Sequence, residues 1–242
     1  MRRAGDVVGL EQRGPCGYCV RAAYPHDPCA FTQGLVWDDG ALFESTGLLG
    51  RSSLRRVELG SGRVLRLHRL PEHVFAEGIT VVGERLVQLT WRTGLGFVYA
   101  KATLEPIGEF ALEGEGWGLA TDDGRLVMSD GSATLRFLDP RTFATVGTLP
   151  VHDGGRPVVC LNDLQVVGNV VWANVWRTPR LARISLASGA VEAWLDLAPL
   201  CRLAENRGRG NVLNGVAYET TSGRLLVTGK RWPRIFALEL LT

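Results

Sequence analysis

Phe75-Ala76-Glu77-Gly78-Ile79, then the turn Gly83-Glu84, then R-L-V-Q-L-T-W ending on Trp91, is the stretch that decides the fold. An apolar lead-in, a polar or aromatic residue, a glycine or stand-in and an aliphatic residue are followed by a turn and a second apolar run. The same arrangement recurs at Phe31-Thr32-Gln33-Gly34-Leu35, Gly116-Trp117-Gly118-Leu119, Leu161-Asn162-Asp163-Leu164 and Leu213-Asn214-Gly215-Val216. Its third residue falls at 33, 77, 117, 162 and 214, a spacing of 40–52 residues. Turns follow each time at Asp38-Asp39-Gly40, Asp122-Asp123-Gly124, Gly168-Asn169 and Ser222-Gly223, before strand-like runs such as A-L-F-E-S-T and V-V-W-A-N-V-W. Turn residues between apolar runs signal a hairpin. Second hairpins at Leu59-Gly60-Ser61-Gly62, Leu138-Asp139-Pro140 and Ala187-Ser188-Gly189 complete four antiparallel strands per unit. A repeat of about 40–50 residues with four strands is a propeller blade.

The expectation is therefore an all-β, five-bladed propeller spanning residues 1–242 as a single domain, in which residues 1–17 can form a flexible N-terminal segment. The fifth unit ends on a third strand, Ile235–Leu240, and Tyr18–Ala23 has the character of the missing fourth, which would close the ring and remove a sheet edge. A β-sandwich with coincidental spacing is the alternative.

Composition agrees. The 242 residues include 30 glycines and 11 prolines, which excludes a long-helix protein because helix interiors reject both. No apolar run approaches the roughly 18 residues of a helical membrane span. A net charge of +2 gives no sign of the basic face of a nucleic-acid binder. Only two of 27 basic residues are lysines, Lys101 and Lys230. Five cysteines, an odd number, imply no disulfide framework, and the Cys16/Cys19 pair reads as ordinary thiols, with no second pair at zinc spacing. The N-terminus lacks the apolar core of a signal peptide, so the chain is cytoplasmic, or periplasmic or secreted if a leader was removed.

Equivalent positions of a propeller repeat converge on one axis. The motif positions carry Gln33, Glu77, Trp117, Asn162 and Asn214, and the exits of the second strands read as Glu44, Trp91, Asp130, Trp176 and Lys230. Polar groups beside large aromatics form a concave site for a small ligand. Trp37, Trp172 and Trp194 read as packing. A carboxylate at Glu77 is costly inside a protein unless it is paired or used. Lys230 offers a compact charge with a shiftable pKa. The four histidines share no motif, and neither a nucleophile elbow nor a phosphate loop occurs.

The stretches Y-P-H-D-P-C-A-F-T-Q-G-L, L-F-E-S-T-G-L-L-G-R-S-S-L-R, A-E-G-I-T, Q-L-T-W-R, E-G-W-G-L-A, M-S-D-G-S, L-N-D-L, A-N-V-W-R-T, V-L-N-G-V-A-Y and V-T-G-K-R-W-P run in order through nearly the whole chain. Together they resemble the plant and bacterial glutaminyl-peptide cyclotransferases, five-bladed propeller enzymes unrelated to the animal zinc type. That resemblance implies conversion of the N-terminal glutamine of peptides or proteins to pyroglutamate with release of ammonia, with no metal and no cofactor. It places the catalytic acid on Glu77 and pocket residues on Phe31, Gln33, Trp91, Trp117, Asn162, Trp176 and Lys230. Lys230 is expected to act with Glu77 in catalysis, and Glu44 to hold the substrate amine. The protein is expected to act as a monomer, without nucleic acid or membrane. Leu49, Asp163, Arg231 and the arginine-rich stretch from Arg202 to Arg209 depart from the family pattern. Two other readings remain: a calcium-dependent, lactonase-like hydrolase with the ion on Glu77, Asn162, Asn214 and an aspartate, and a non-catalytic peptide-binding propeller.

Overall fold

A computed structural model of the chain describes residues 8–12, 16–204, 208 and 210–241. Five antiparallel sheets follow one another in sequence, and their first strands are Thr32–Asp38, Ala76–Val82, Leu119–Asp122, Leu161–Val167 and Leu213–Glu219. These five strands touch in a closed circuit, each against its two neighbours, so they line the axis of a five-bladed propeller. The turns behave as their residues require. Asp39 and Gly40 both have positive φ, the conformation that lets a two-residue turn match the twist of its strands.

The ring closes as the repeat demands. The last sheet takes its inner three strands from the C-terminus and its fourth, Gly17–Pro25, from the N-terminus, with Tyr18 opposite Leu240 and Tyr24 opposite Ile235. Glu11–Gln12 pairs with Tyr18–Cys19 and adds a two-residue strand outside it. Residues 1–7, the basic start, and half of the arginine-rich stretch (205–207 and 209) lie outside the described residues. A six-residue helix, Ala198–Leu203, occupies the longest repeat spacing and buries Leu200. The repeat pattern gave no sign of it.

Apolar residues sort by layer. The inner two strands of each blade are almost wholly buried, whereas outer strands such as Arg63–Arg69 face water on both sides. Among the described residues five clusters of the core each bridge two neighbouring blades, and a smaller sixth gathers Leu70, Val74 and Ala76. Phe43 of blade 1 shares a cluster with Leu86 and Tyr99 of blade 2, for example, and Leu42 of blade 1 shares one with Leu226 and Ile235 of blade 5. Trp172 is core, in agreement with its packing role.

The motif glycines exist because the inner ring is narrow. A Cβ at Gly34 would lie 2.8 Å from the Ile79 backbone nitrogen, and one at Gly118 would lie 1.9 Å from the Asn162 carbonyl oxygen. Blade 4 carries Asp163 at this position instead. Its carboxylate is buried and accepts the Val216 backbone N–H at 2.8 Å, tying blade 4 to blade 5.

Candidate active site

Four of the five inner strands shift register at the repeated motif, between Thr32 and Gly34, Ala76 and Ile79, Leu161 and Leu164, and Leu213 and Val216. A bulge frees one residue from the ladder and re-aims its side chain. The residues so placed are Gln33, Glu77, Asn162 and Asn214. The repeat thus turns a structural irregularity into a ring of side chains.

Gln33, Glu77 and Asn162 line one cavity of about 240 Å³ together with Phe31, Phe75, Trp91, Trp117, Trp176, Gly210 and Lys230. Its walls are largely aromatic. Phe31 meets Phe75 edge-on at 6.3 Å, Phe75 meets Trp91 at 5.6 Å, and Trp117 meets Trp176 at 5.6 Å. Trp91, Trp176 and Lys230 each follow the last residue of a second strand, and the backbone N–H of each donates to the carbonyl two residues before Glu77, Asn162 and Asn214, that of Phe75, Cys160 and Val212 respectively.

The same bond in blade 1 is made by Gly47 to Phe31. Gly47, not Glu44, is therefore the exit of that blade, and the assignment of Glu44 to the substrate pocket is corrected. Glu44 lies three residues earlier, inside the strand, with its carboxylate accepting from Thr32 Oγ1 at 2.8 Å and paired with His26 Nε2 at 2.9 Å. In blade 3 the register of Leu119 opposite Met128 likewise puts the exit at Gly131 rather than Asp130, which pairs with Arg136. The two glycines clear space. A Cβ at Gly47 would meet the Phe75 ring at 2.5 Å, and one at Gly131 would meet the Trp117 ring at 2.7 Å. Asn214 turns away from the cavity: its amide nitrogen donates to the Thr32 and Gln33 carbonyls at 3.0 and 3.2 Å.

Glu77 is 5% exposed and accepts the Gln33 side-chain N–H at 2.7 Å. Burial pushes its carboxyl well above the ordinary glutamate range; the Lys230 ammonium opposes this, and the Asp163 and Glu115 charges add to it. Burial pushes the Lys230 ammonium down, against the pull of Glu77 and Asp163. Its Nζ lies 4.9 Å from the centre of the Phe31 ring. Asn162 Oδ1 is buried and has no hydrogen-bond partner. A buried acceptor left open in a cavity wall is a place for a ligand donor.

Two residues escaped the sequence reading. Phe75 stands two positions before Glu77, as Phe31 stands before Gln33, and the repeat alone could have found it. Glu115 holds the equivalent place before Trp117. One of its oxygens accepts the indole N–H of Trp91 at 2.7 Å and that of Trp117 at 2.9 Å, and the other accepts from Arg92 at 2.8 Å. Arg92 in turn stacks 3.9 Å over the Trp91 ring. Partial burial would raise the Glu115 pKa, but these hydrogen bonds hold it below the ordinary value, so a charged carboxylate clamps two walls of the cavity. Among the described residues no three metal-ligating His, Cys, Asp or Glu side chains converge, and all five cysteines are free thiols.

Comparison with known proteins agrees with this geometry. The family model described as glutamine cyclotransferase matches residues 4–240. A glutaminyl-peptide cyclotransferase of Arabidopsis thaliana is 44% identical over 225 residues, covering 91% of this chain and 70% of that protein. The crystal structure of Myxococcus xanthus glutaminyl cyclase superposes with a TM-score of 0.87 at 40% identity, over 92% of this chain and 96% of that one. The WD40 β-propeller domain of Doa1 aligns at a TM-score of 0.51 with 12% identity, over 85% of this chain and 62% of that one, a likeness of fold alone.

Proposed function

The chain belongs to the glutamine cyclotransferase family, and from that premise we infer that its cavity converts the N-terminal glutamine of a peptide into pyroglutamate with release of ammonia. The α-amine attacks the side-chain amide carbon of the same residue. A C–N bond forms and closes a five-membered ring, the bond to the amide nitrogen breaks, and ammonia leaves. Nucleophile and electrophile are already tethered, so the protein has to hold one glutamine rotamer, move a proton and stabilise an oxyanion.

Glu77 is the proton carrier. Burial favours its acid form, Gln33 orients one oxygen, and the other makes no hydrogen bond among the described residues. The carboxyl gives its proton to the departing nitrogen and takes one from the attacking amine, ending as it began. Such transfer contributes roughly 10²–10⁴-fold. Lys230 faces the same cavity and supplies positive charge to the amide oxygen as it becomes an oxyanion. Asn162 Oδ1 accepts an N–H of the substrate backbone. Trp91, Trp117 and Trp176 enclose the aliphatic stem and exclude water. The reading takes the enzyme as a monomer.

The observation that carries this reading is the Gln33–Glu77 pair, a buried carboxyl oriented by an amide in an aromatic cavity that also holds Lys230. Its test is a glutaminyl dipeptide incubated with the protein in excess chelator, with ammonia and the cyclised peptide both quantified. Equimolar products are expected. Absence of ammonia, or its abolition by the chelator, would overturn the reading.

A further inference from the structure

A second cavity, of about 230 Å³, shares Phe31 with the first. Where the first is aromatic, this one is polar, and it is lined by Arg51, Arg55 and Arg69 beside Thr46 and Gly47. The three guanidiniums are not equivalent. Arg55 is half-buried and already occupied: it contacts Asp27 at 2.8 Å, Ser53 Oγ at 2.9 Å and Glu44 at 3.8 Å. Arg51 and Arg69 are exposed, and neither has an ion-pair partner among the described residues. Two uncompensated cations in a concave polar pocket make an anion site, because guanidinium groups match the planar geometry of a carboxylate.

Position gives the anion its identity. Phe31 lines both this pocket and the aromatic cavity, and Lys230 and Arg231 lie over its ring, at 4.9 and 5.6 Å. A peptide whose first residue fills the aromatic cavity has to leave over its rim, and each further residue carries it at most about 3.3–3.6 Å. Elsewhere on the rim Arg177 stacks 4.1 Å over Trp176, so positive charge borders more than one wall. The carboxylate that holds Trp91 and Trp117, Glu115, is engaged by Arg92 and the two indoles.

Resting on the cyclisation reading above, we propose that the Arg51–Arg69 pocket is a substrate subsite that selects peptides bearing a carboxylate within the few residues after the N-terminal glutamine. The carboxylate is an acidic side chain or, in short peptides, the C-terminus.

The test compares kcat/KM for ammonia release from four tripeptides: Gln-Gly-Glu, Gln-Gly-Gln and Gln-Gly-Lys, all C-terminally amidated, and Gln-Gly-Gln with a free C-terminus. At low salt the two carboxylate peptides are expected to exceed amidated Gln-Gly-Gln by about fivefold, the sum of a few exposed charge contacts. The lysine peptide falls below it. The preference should vanish near 1 M salt, where the screening length is about 3 Å. The glutamate and free-terminus arms separate the two sources of the carboxylate. In the Arg51→Gln and Arg69→Gln variants the ratio of acidic to neutral peptide should fall towards one, and the corresponding lysine variants should restore much of it. Equal turnover of all four peptides, or a preference unmoved by both glutamine variants, would overturn the subsite and leave cyclisation standing. Ammonia from none of them would overturn cyclisation and the subsite with it.

Discussion

Glu77 holds its place in the site through a single hydrogen bond and a dry environment. Glu77→Gln keeps the shape and removes the titratable proton. We expect kcat to fall by roughly 10²–10⁴-fold with an unchanged circular dichroism spectrum; ordinary turnover in that variant would end the assignment. Lys230→Ala should lower kcat more than it raises KM, because an oxyanion exists only in the transition state. A rise in KM alone would mean that Lys230 binds ground state and transition state alike. Glu115 supplies a separate test. Its charge adds to the upward shift of Glu77. Glu115→Gln should therefore lower the Glu77 pKa, and the alkaline limb of the kcat/KM profile should move to lower pH as the acid form is lost earlier. An alkaline limb that stays in place would show that Glu77 does not set it.

Between residue and fold lies a buried pair that joins separate elements. His26 follows the closing strand Gly17–Pro25; its Nδ1 donates to the Trp232 carbonyl at 2.6 Å and its Nε2 contacts Glu44 at 2.9 Å. With both ring nitrogens donating, the ring is an imidazolium. Burial alone would lower its pKa, but the Glu44 charge and hydrogen bond, helped by Trp232, raise it above the ordinary histidine value. Burial would likewise raise Glu44, and His26, Arg55 and Thr32 hold it below the ordinary value. The pair thus fastens the N-terminal strand to blade 1 and to the turn after Lys230. The His26 contribution to stability is complete below the histidine pKa of the unfolded chain and is lost as pH rises through the folded value. The Glu44 contribution is present above the unfolded glutamate pKa and is lost as pH falls through the folded one. Urea titrations should show stability declining at both ends, and His26→Gln should remove the alkaline decline. Glu44→Gln removes the charge that holds the His26 pKa up, so burial should return the ring to its neutral form and this variant too should lose the alkaline decline. An alkaline decline that persists in Glu44→Gln would show that another group sets it.

The whole molecule is a ring, and its weakest seam is where the two chain ends meet. Gly17–Pro25 covers the edge of Arg234–Leu241 and buries Tyr18 and Val20 completely. Each such side chain contributes about 1.5–3 kcal/mol by leaving water. Removing residues 1–25 exposes that edge and opens the cluster between blades 4 and 5. The truncated chain should lose its cooperative thermal transition and associate on size-exclusion chromatography. A monomer melting like the full chain would show that closure is not needed.

The five-fold repeat, its hairpin turns and the borrowed closing strand are all legible in the sequence, because alternating apolar runs and turn residues are local in the chain. So are seven of the cavity residues, Gln33, Glu77, Trp91, Trp117, Asn162, Trp176 and Lys230, since a repeat carries equivalent positions to one axis, while Phe31 comes from the family resemblance alone. Glu44 was misplaced because strand exits are set by register, which a turn of uncertain length hides, and a carboxylate inside a strand looks in sequence like one at its end. The Glu115 clamp on two tryptophans and the arginine pocket behind Phe31 join residues whose meeting depends on how blades pack around the axis. Distance through space between blades has no signature along the chain, and only the closed ring decides it.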